Sequence, residues 1–237
     1  MKSKITYILF LLLAGILSLP AYSQRQKIKN RPFADQKLYH LGFTLGLHGQ
    51  DLILSHTGNP TATGETWFAE IPSHSPGFTV GIIGDRYLNQ YMNLRVVPSL
   101  SFGEKEYVFR EQNSGQMTRT TIRSNYVTLP VYLKFSSERN NNMRPYLLAG
   151  AFGSLEIGSK KDVIIKQKKN DFGLEIGFGC DFYLPMFKFA PELRFSFGLR
   201  DLIEKDRSDL TDKDAIKYTD ALASGKSRMI TLTFNFE

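Results

Sequence analysis

The chain has 237 residues, so one domain is the natural expectation, and 30 basic against 23 acidic side chains give it a formal charge of +7. That balance is too mild to point to nucleic acid. The one cysteine, Cys180, excludes an intramolecular disulfide framework. Beyond the N-terminus no long apolar run occurs, which excludes a helical membrane protein but not a barrel, whose strands alternate.

The first segment has the layout of an export signal. Lys2 and Lys4 precede an almost unbroken apolar run, Ile5 to Leu19, which Pro20 ends. Ala21 and Ser23 then frame a small-residue cleavage site before Gln24. A spanning helix needs roughly 20 apolar residues, so residues 1–23 read as a removed signal peptide rather than an anchor. No cysteine follows the run, which argues against a lipoprotein. Residues 24–37 are polar and basic, with Arg25, Lys27, Lys29, Arg31 and Lys37, and read as a flexible periplasmic tail able to contact a partner.

From Leu38 to the end, residues 38–237, the chain alternates with period two. Tyr39, Leu41, Phe43, Leu45 and Leu47 alternate with His40, Gly42, Thr44, Gly46 and His48. Less regular strands are expected near Gly77–Tyr87, Met92–Gly103, Ile122–Phe135 and Arg144–Gly153. The clearest is Phe172 to Phe182, where Phe172, Leu174, Ile176, Phe178, Cys180 and Phe182 share one face. Gly173, Glu175, Gly177, Gly179 and Asp181 share the other. Phe187 to Leu199 and Ile230 to Phe236 complete about eight strands.

Glycine weakens strands and gains nothing on a solvated face, whereas a crowded lumen needs small residues beside long ones. The polar face is therefore expected inside and the apolar face, Cys180 included, towards lipid. Short links (Leu88–Tyr91, Ser136–Met143, Tyr183–Met186) alternate with long polar ones (Gly49–Pro76, Glu104–Thr121, Ser154–Asn170, Asp201–Arg228). This is the turn-and-loop alternation of outer-membrane barrels. The expected fold is all-β: an antiparallel up-and-down transmembrane barrel with both termini periplasmic. Tyr39, Tyr87, Tyr91, Phe135, Tyr146, Phe182, Tyr183, Phe187 and Phe236 would form one aromatic girdle. Phe102, Tyr107, Phe109 and Phe152 would form the other, with Trp67 further out.

If Tyr183–Met186 is a four-residue turn closed by Phe182 opposite Phe187, then Glu175 faces Arg194 and Asp181 faces Lys188. Gly177 then faces Glu192, and Gly179 faces Ala190. An eight-stranded interior is just filled by side chains, so Arg95, Lys134, Glu175, Lys188, Glu192 and Arg194 should pair there as structural charges. At the rim of the first strand, His48, Asp51, Ser55, His56 and a returning His74 contain the residue types of a hydrolase or acyltransferase. Such groups must converge in space, and neighbours in sequence rarely do. Lys160, Lys161, Lys166, Lys168 and Lys169 make the third long loop basic, a solvated surface or a contact for acidic lipopolysaccharide. Neither a cofactor nor a small-molecule substrate is implied, and no catalytic or metal-ligand spacing stands out.

Four segments carry a family likeness: RPFADQKLYHLGFTLGLH (Arg31–His48), YVTLPVYLKF (Tyr126–Phe135), RPYLLAG (Arg144–Gly150) and FAPELRFSFGL (Phe189–Leu199). Together they resemble the PorT-like outer-membrane barrels, and within that group the PorT/SprT type of the type IX secretion and gliding machinery of Bacteroidota. The resemblance implies a non-enzymatic accessory of protein secretion, held in outer-membrane lipid and acting through other secretion components. A generic surface or adhesion barrel is the alternative. One departure is the end: such strands commonly finish on an aromatic residue, whereas Glu237 follows Phe236 here.

Overall fold

The computed structural model describes residues 29–56, 58, 67–70, 76–112, 115, 117–158, 167–204 and 222–237. The expected signal peptide, Arg25 and Lys27 lie outside the described residues, as does His74. So do Lys160, Lys161 and Lys166, and the side chains of His56, Trp67 and Tyr107.

Among the described residues ten strands follow a short 3-10 turn at Ala34–Gln36. They are β1 (Tyr39–His56), β2 (Trp67–Glu70), β3 (Pro76–Asn89), β4 (Met92–Val96) and β5 (Ser99–Glu111). β6 (Met117–Ser136), β7 (Met143–Glu156), β8 (Asn170–Tyr183), β9 (Lys188–Gly198) and β10 (Leu222–Phe236) complete them. All the pairings are antiparallel, and β1 pairs with both β10 and β3, which closes the ring. β4 and β5 are one barrel strand interrupted at Val97–Pro98, because proline has no N–H for the ladder. Their pairing with β3 and β6 continues in register across the break. Eight strands therefore form the wall.

The ring is staggered. Partners lead from Gly49 through Ile230, Phe195, Ile176, Ala149, Leu133, Leu94 and Arg86 back to β1 at Tyr39. A return displaced by about ten residues over eight strands requires a strand tilt of about 40°. At that tilt Phe172 to Phe182 rises about 26 Å along the axis, close to the roughly 25 Å apolar band of an outer-membrane barrel.

Period two decides which side each residue takes. Leu41, Ile82, Leu147, Phe172, Leu174 and Ile176 are all more than half exposed on the outside. Thr44, His48, Asp85, Arg95, Lys134, Glu175 and Thr233 are buried inside. A soluble sandwich would have the reverse arrangement. Only a lipid solvent makes this inside-out distribution favourable.

The strands run further than hydrophobic alternation predicts. β1 continues to His56, β5 and β6 pair out to Arg110 and Met117, and β10 begins at Leu222. β2, inside the expected first loop, pairs with β5 beyond β3. Past the apolar band there is no lipid to impose an apolar face, so the ladder persists while its sequence signature disappears.

Candidate functional site

The lumen is the chemically distinctive part of the molecule. Neighbouring strands aim every second residue inward, so the long polar side chains of several strands converge at one level. Arg95 on β4 sits near the short-turn end and is 1% exposed. Its Nη2 lies 2.7 Å from Asp85 Oδ2 and 2.6 Å from Glu237 Oε1, and its Nη1 lies 3.6 Å from Glu192. Lys134 Nζ donates to both Asp181 oxygens, at 2.8 and 3.0 Å, and stands 4.0 Å from the Tyr146 ring centroid. Lys188 Nζ lies 2.5 Å from Glu237 Oε2 and 3.8 Å from Asp181.

One level deeper, the Tyr132 hydroxyl donates to Glu175 at 2.6 Å and accepts from Arg194 at 2.7 Å. Arg194 lies 3.3 Å from Glu192 and 3.5 Å from Glu175. The Tyr146 hydroxyl donates to Glu192 at 2.7 Å. Every charge named has an opposite charge within 4 Å, which a buried ion requires because desolvation costs several kcal/mol per ion. Gly179 completes the packing: a Cβ there would stand 2.6 Å from Tyr146 Cζ and 2.8 Å from the Pro191 carbonyl.

The β8–β9 register differs from the expected one by two residues. Phe182 pairs with Phe189 rather than Phe187, Glu175 with Ser196, Gly177 with Arg194 and Gly179 with Glu192. The turn keeps its four residues but sits one position later: Tyr183 pairs with Lys188 and the Leu184 N–H donates to the Phe187 carbonyl, leaving 184–187 outside the strands. Parity survives a two-residue shift, so all four charges still point inward. Glu175 and Arg194, and Asp181 and Lys188, are diagonal neighbours. Their shortest contacts go elsewhere, to Tyr132, Lys134 and Glu237.

Glu237 belongs to this network. It exchanges both backbone hydrogen bonds with Lys188, so β10's parity carries one residue past Phe236 and turns the last side chain inward. The expected departure from an aromatic ending thus coincides with a carboxylate bound by Arg95 and Lys188. Four residues assigned to the girdles also face inward or are buried: Tyr146, Tyr183, Phe152 and Phe109. The signal was present, since Tyr146 shares parity with Arg144 and Tyr183 with Asp181. Residue type outweighed phase in the expectation.

Towards the long-loop end the lining changes to hydroxyls. His48 Nδ1 lies 2.8 Å from Thr79 Oγ1, which bonds Ser101 at 3.0 Å. A residual cavity of about 30 Å³ is lined by Gln50, Ser101, Tyr126, Thr128, Phe152, Asp171 and Ser196 with Leu202 and Ser227. That leaves room for about two waters. Above it, Gln167 bridges Ile203, Lys168 N–H donates to the Leu202 carbonyl, and Leu202 N–H donates to the Gly225 carbonyl. Gln167, Leu202 and Ile203 are buried in this mouth. Of the third-loop lysines described, Lys168 donates to the Asp201 carbonyl and Lys169 is exposed.

The short-turn mouth is covered by the segment expected to be a flexible tail. Asn30 bonds Asn142 and the Tyr183 carbonyl, and Arg31 Nη1 donates to the Glu237 carbonyl at 2.9 Å. Asp35 accepts from the Tyr183 hydroxyl and lies 3.1 Å from Arg144 Nη1. Arg139 donates to the Asn30 and Arg31 carbonyls and stacks 3.6 Å over Tyr183. Residues 30–35 are therefore docked, and flexibility is not a property of this part of the tail. Lys29 is exposed.

The described rim residues, His48, Asp51 and Ser55, do not assemble a nucleophilic site. His48 is buried against Thr79, Asp51 pairs with Arg228 at 2.5 Å, and Ser55 is exposed. All three lie on β1, where Ser55 is about 23 Å along an extended strand from His48, far beyond hydrogen-bond reach. Among the described side chains of this group, none gives Ser55 a base.

Several solved structures are similar. The outer membrane protein OprG of Pseudomonas aeruginosa is 10% identical, covering 84% of this chain and 94% of its own, with a TM-score of 0.48. Neisserial surface protein A is 10% identical over 84% of this chain and 98% of its own, with a TM-score of 0.42. The N-terminal β-barrel domain of P. aeruginosa OprF is 14% identical over 82% and 97%, with a TM-score of 0.35. No curated protein matches the chain. Residues 22–204 match the family described as outer membrane protein beta-barrel domain. A closed eight-stranded ring, an apolar exterior and that match lead to one conclusion: the chain belongs to the outer membrane protein beta-barrel domain family and is an outer-membrane barrel.

Proposed function

We propose that this barrel is a non-conducting, non-enzymatic accessory of protein secretion, of the type IX kind, acting through contacts at its ends. The observation that carries the non-conducting part is the filled lumen, cross-linked by Arg95, Lys134, Lys188 and Arg194 and covered at the short-turn mouth by residues 30–35. A path for folded cargo then lies in another protein, which this one holds or assembles. The secretion assignment rests on the resemblance of Arg31–His48, Tyr126–Phe135, Arg144–Gly150 and Phe189–Leu199 to PorT-like barrels. In this reading residues 1–23 are removed, Lys29 and Arg31 begin a periplasmic face with Arg25 and Lys27, and both termini are periplasmic. The lumen pairs Glu175–Arg194 and Asp181–Lys188 are structural.

Two measurements test it. A strain lacking the chain should lose export of secreted cargo, and normal export would leave the generic surface-barrel reading in its place. Purified barrel in planar bilayers should give no stable conductance steps; regular steps would refute the filled lumen. The β5–β6 extension with β2 favours that second reading, because it raises a paired sheet beyond the apolar band.

A further inference from the structure

We infer that the short-turn mouth is a docking platform for an acidic, apolar-tipped segment of a partner protein, seated on Phe33. The inference rests on the proposed function and gives its partner a place and a chemistry. The cap crosses the mouth from one wall to the other. Ala34 accepts from His40 on β1, Arg31 reaches the end of β10, and Asn30 and Asp35 are held by Asn142, Arg144 and Tyr183 on the opposite side. This many polar contacts fix a stretch whose large apolar side chain, Phe33, is nevertheless 73% exposed. Next to Tyr183, the β8–β9 turn adds Met186 at 89% exposure. An aromatic held on a fixed turn loses little entropy on binding, which is the behaviour of an interface anchor.

The charge around it is predominantly positive. Lys29, Arg31, Lys37, Arg86, Arg139 and Arg144 stand at this end among the described residues, against Asp35 and Glu138. Asp35 is already shared by Arg139 and Arg144, and Glu138 accepts from Tyr91. The excess favours an acidic partner by complementarity. Anionic lipid would match the charge, but the cap lies across the lumen axis rather than in the ring of side chains that faces the bilayer. A protein in the adjoining aqueous compartment fits that position better.

The test is photocrosslinking in intact cells, with a benzophenone amino acid at Phe33 and, as a lipid-facing control, at Phe172. Phe33 should give a discrete protein adduct, identified by mass spectrometry as carrying an acidic segment at the crosslinked site, and Phe172 should give none. Lys29→Glu with Lys37→Glu should weaken that adduct about tenfold while heat-modifiability shows the barrel still folded. Lipid adducts alone, an adduct on a segment without acidic residues, or an adduct indifferent to charge reversal would each overturn the inference. A specific adduct in cells whose deletion strain secretes normally would retain the platform and remove the secretion role; normal dependence on the chain without the adduct would do the opposite.

Discussion

The two halves of the lumen solve the same packing problem with different chemistry. Near the short turns, Arg95, Lys134, Lys188, Asp85, Asp181 and Glu237 interlock, each close to an opposite charge. Towards the long loops the wall carries Ser101, Thr128 and Ser196 around a cavity of about 30 Å³. The hydroxyls of Ser196 and, nearby, Thr231 have no protein partner among the described residues. Short hydroxyls do not reach across a barrel, whereas arginine and lysine do. The first half is therefore cross-linked through its centre, and the second is held mainly by its own wall.

The largest effect should follow from Arg95→Met, which leaves Asp85 and Glu237 without their shared cation. The expected loss is about 3–5 kcal/mol, because uncompensated buried charge is the penalty. Urea unfolding of the barrel in detergent, followed by the heat-modifiable gel shift, reads it. A loss below about 1 kcal/mol would mean that the charged half is not the stabilising one.

Next come the pairs around Asp181. A double-mutant cycle of Lys134→Met and Asp181→Asn should give a coupling of about 1–3 kcal/mol. The cycle of Lys188→Met and Asp181→Asn should give less, since that contact is 3.8 Å and Lys188 retains Glu237. Equal couplings would return weight to the diagonal pair that the hairpin pattern alone singles out.

Gly179→Val should cost about 1–3 kcal/mol by overpacking, because the added carbon meets the Tyr146 ring and a backbone carbonyl that has no room to move. Tyr146→Leu in the same chain should recover part of that loss. No recovery would place the strain in the backbone.

In the hydroxyl half, Ser196→Ala should stay within about 0.5 kcal/mol, the range of a substitution that removes no bond. A loss as large as that of Gly179→Val would erase the contrast between the halves.

Much of this was legible in the residues. Phe172 to Phe182 and Ile230 to Phe236 declare their two faces, because lipid on one side and a polar lumen on the other impose alternation on each residue. The three short links fall where the turns are, at Asn89–Met92, Ser136–Met143 and Tyr183–Lys188. The family match and the closed ring agree with that reading of the fold. Ser55, His48 and Asp51 were a plausible set only in one dimension, and an extended strand separates them.

Alternation determined by itself that the chain makes strands and which side chains share a face, because period two is a local property of an extended backbone. The glycines of the polar face and the short and long links then put that face in the lumen. Alternation left the offset between strands open: a shift of two residues keeps every side chain on its face. Only the tertiary structure chose Phe189 over Phe187 as the partner of Phe182, and with it which charge meets which. Nor did pattern announce that Glu237 would bind Arg95 from 142 positions away or that residues 30–35 would cover the mouth. Those contacts join segments remote in sequence, and they exist only once eight tilted strands have closed and brought residues 30–35 and Glu237 to the same mouth.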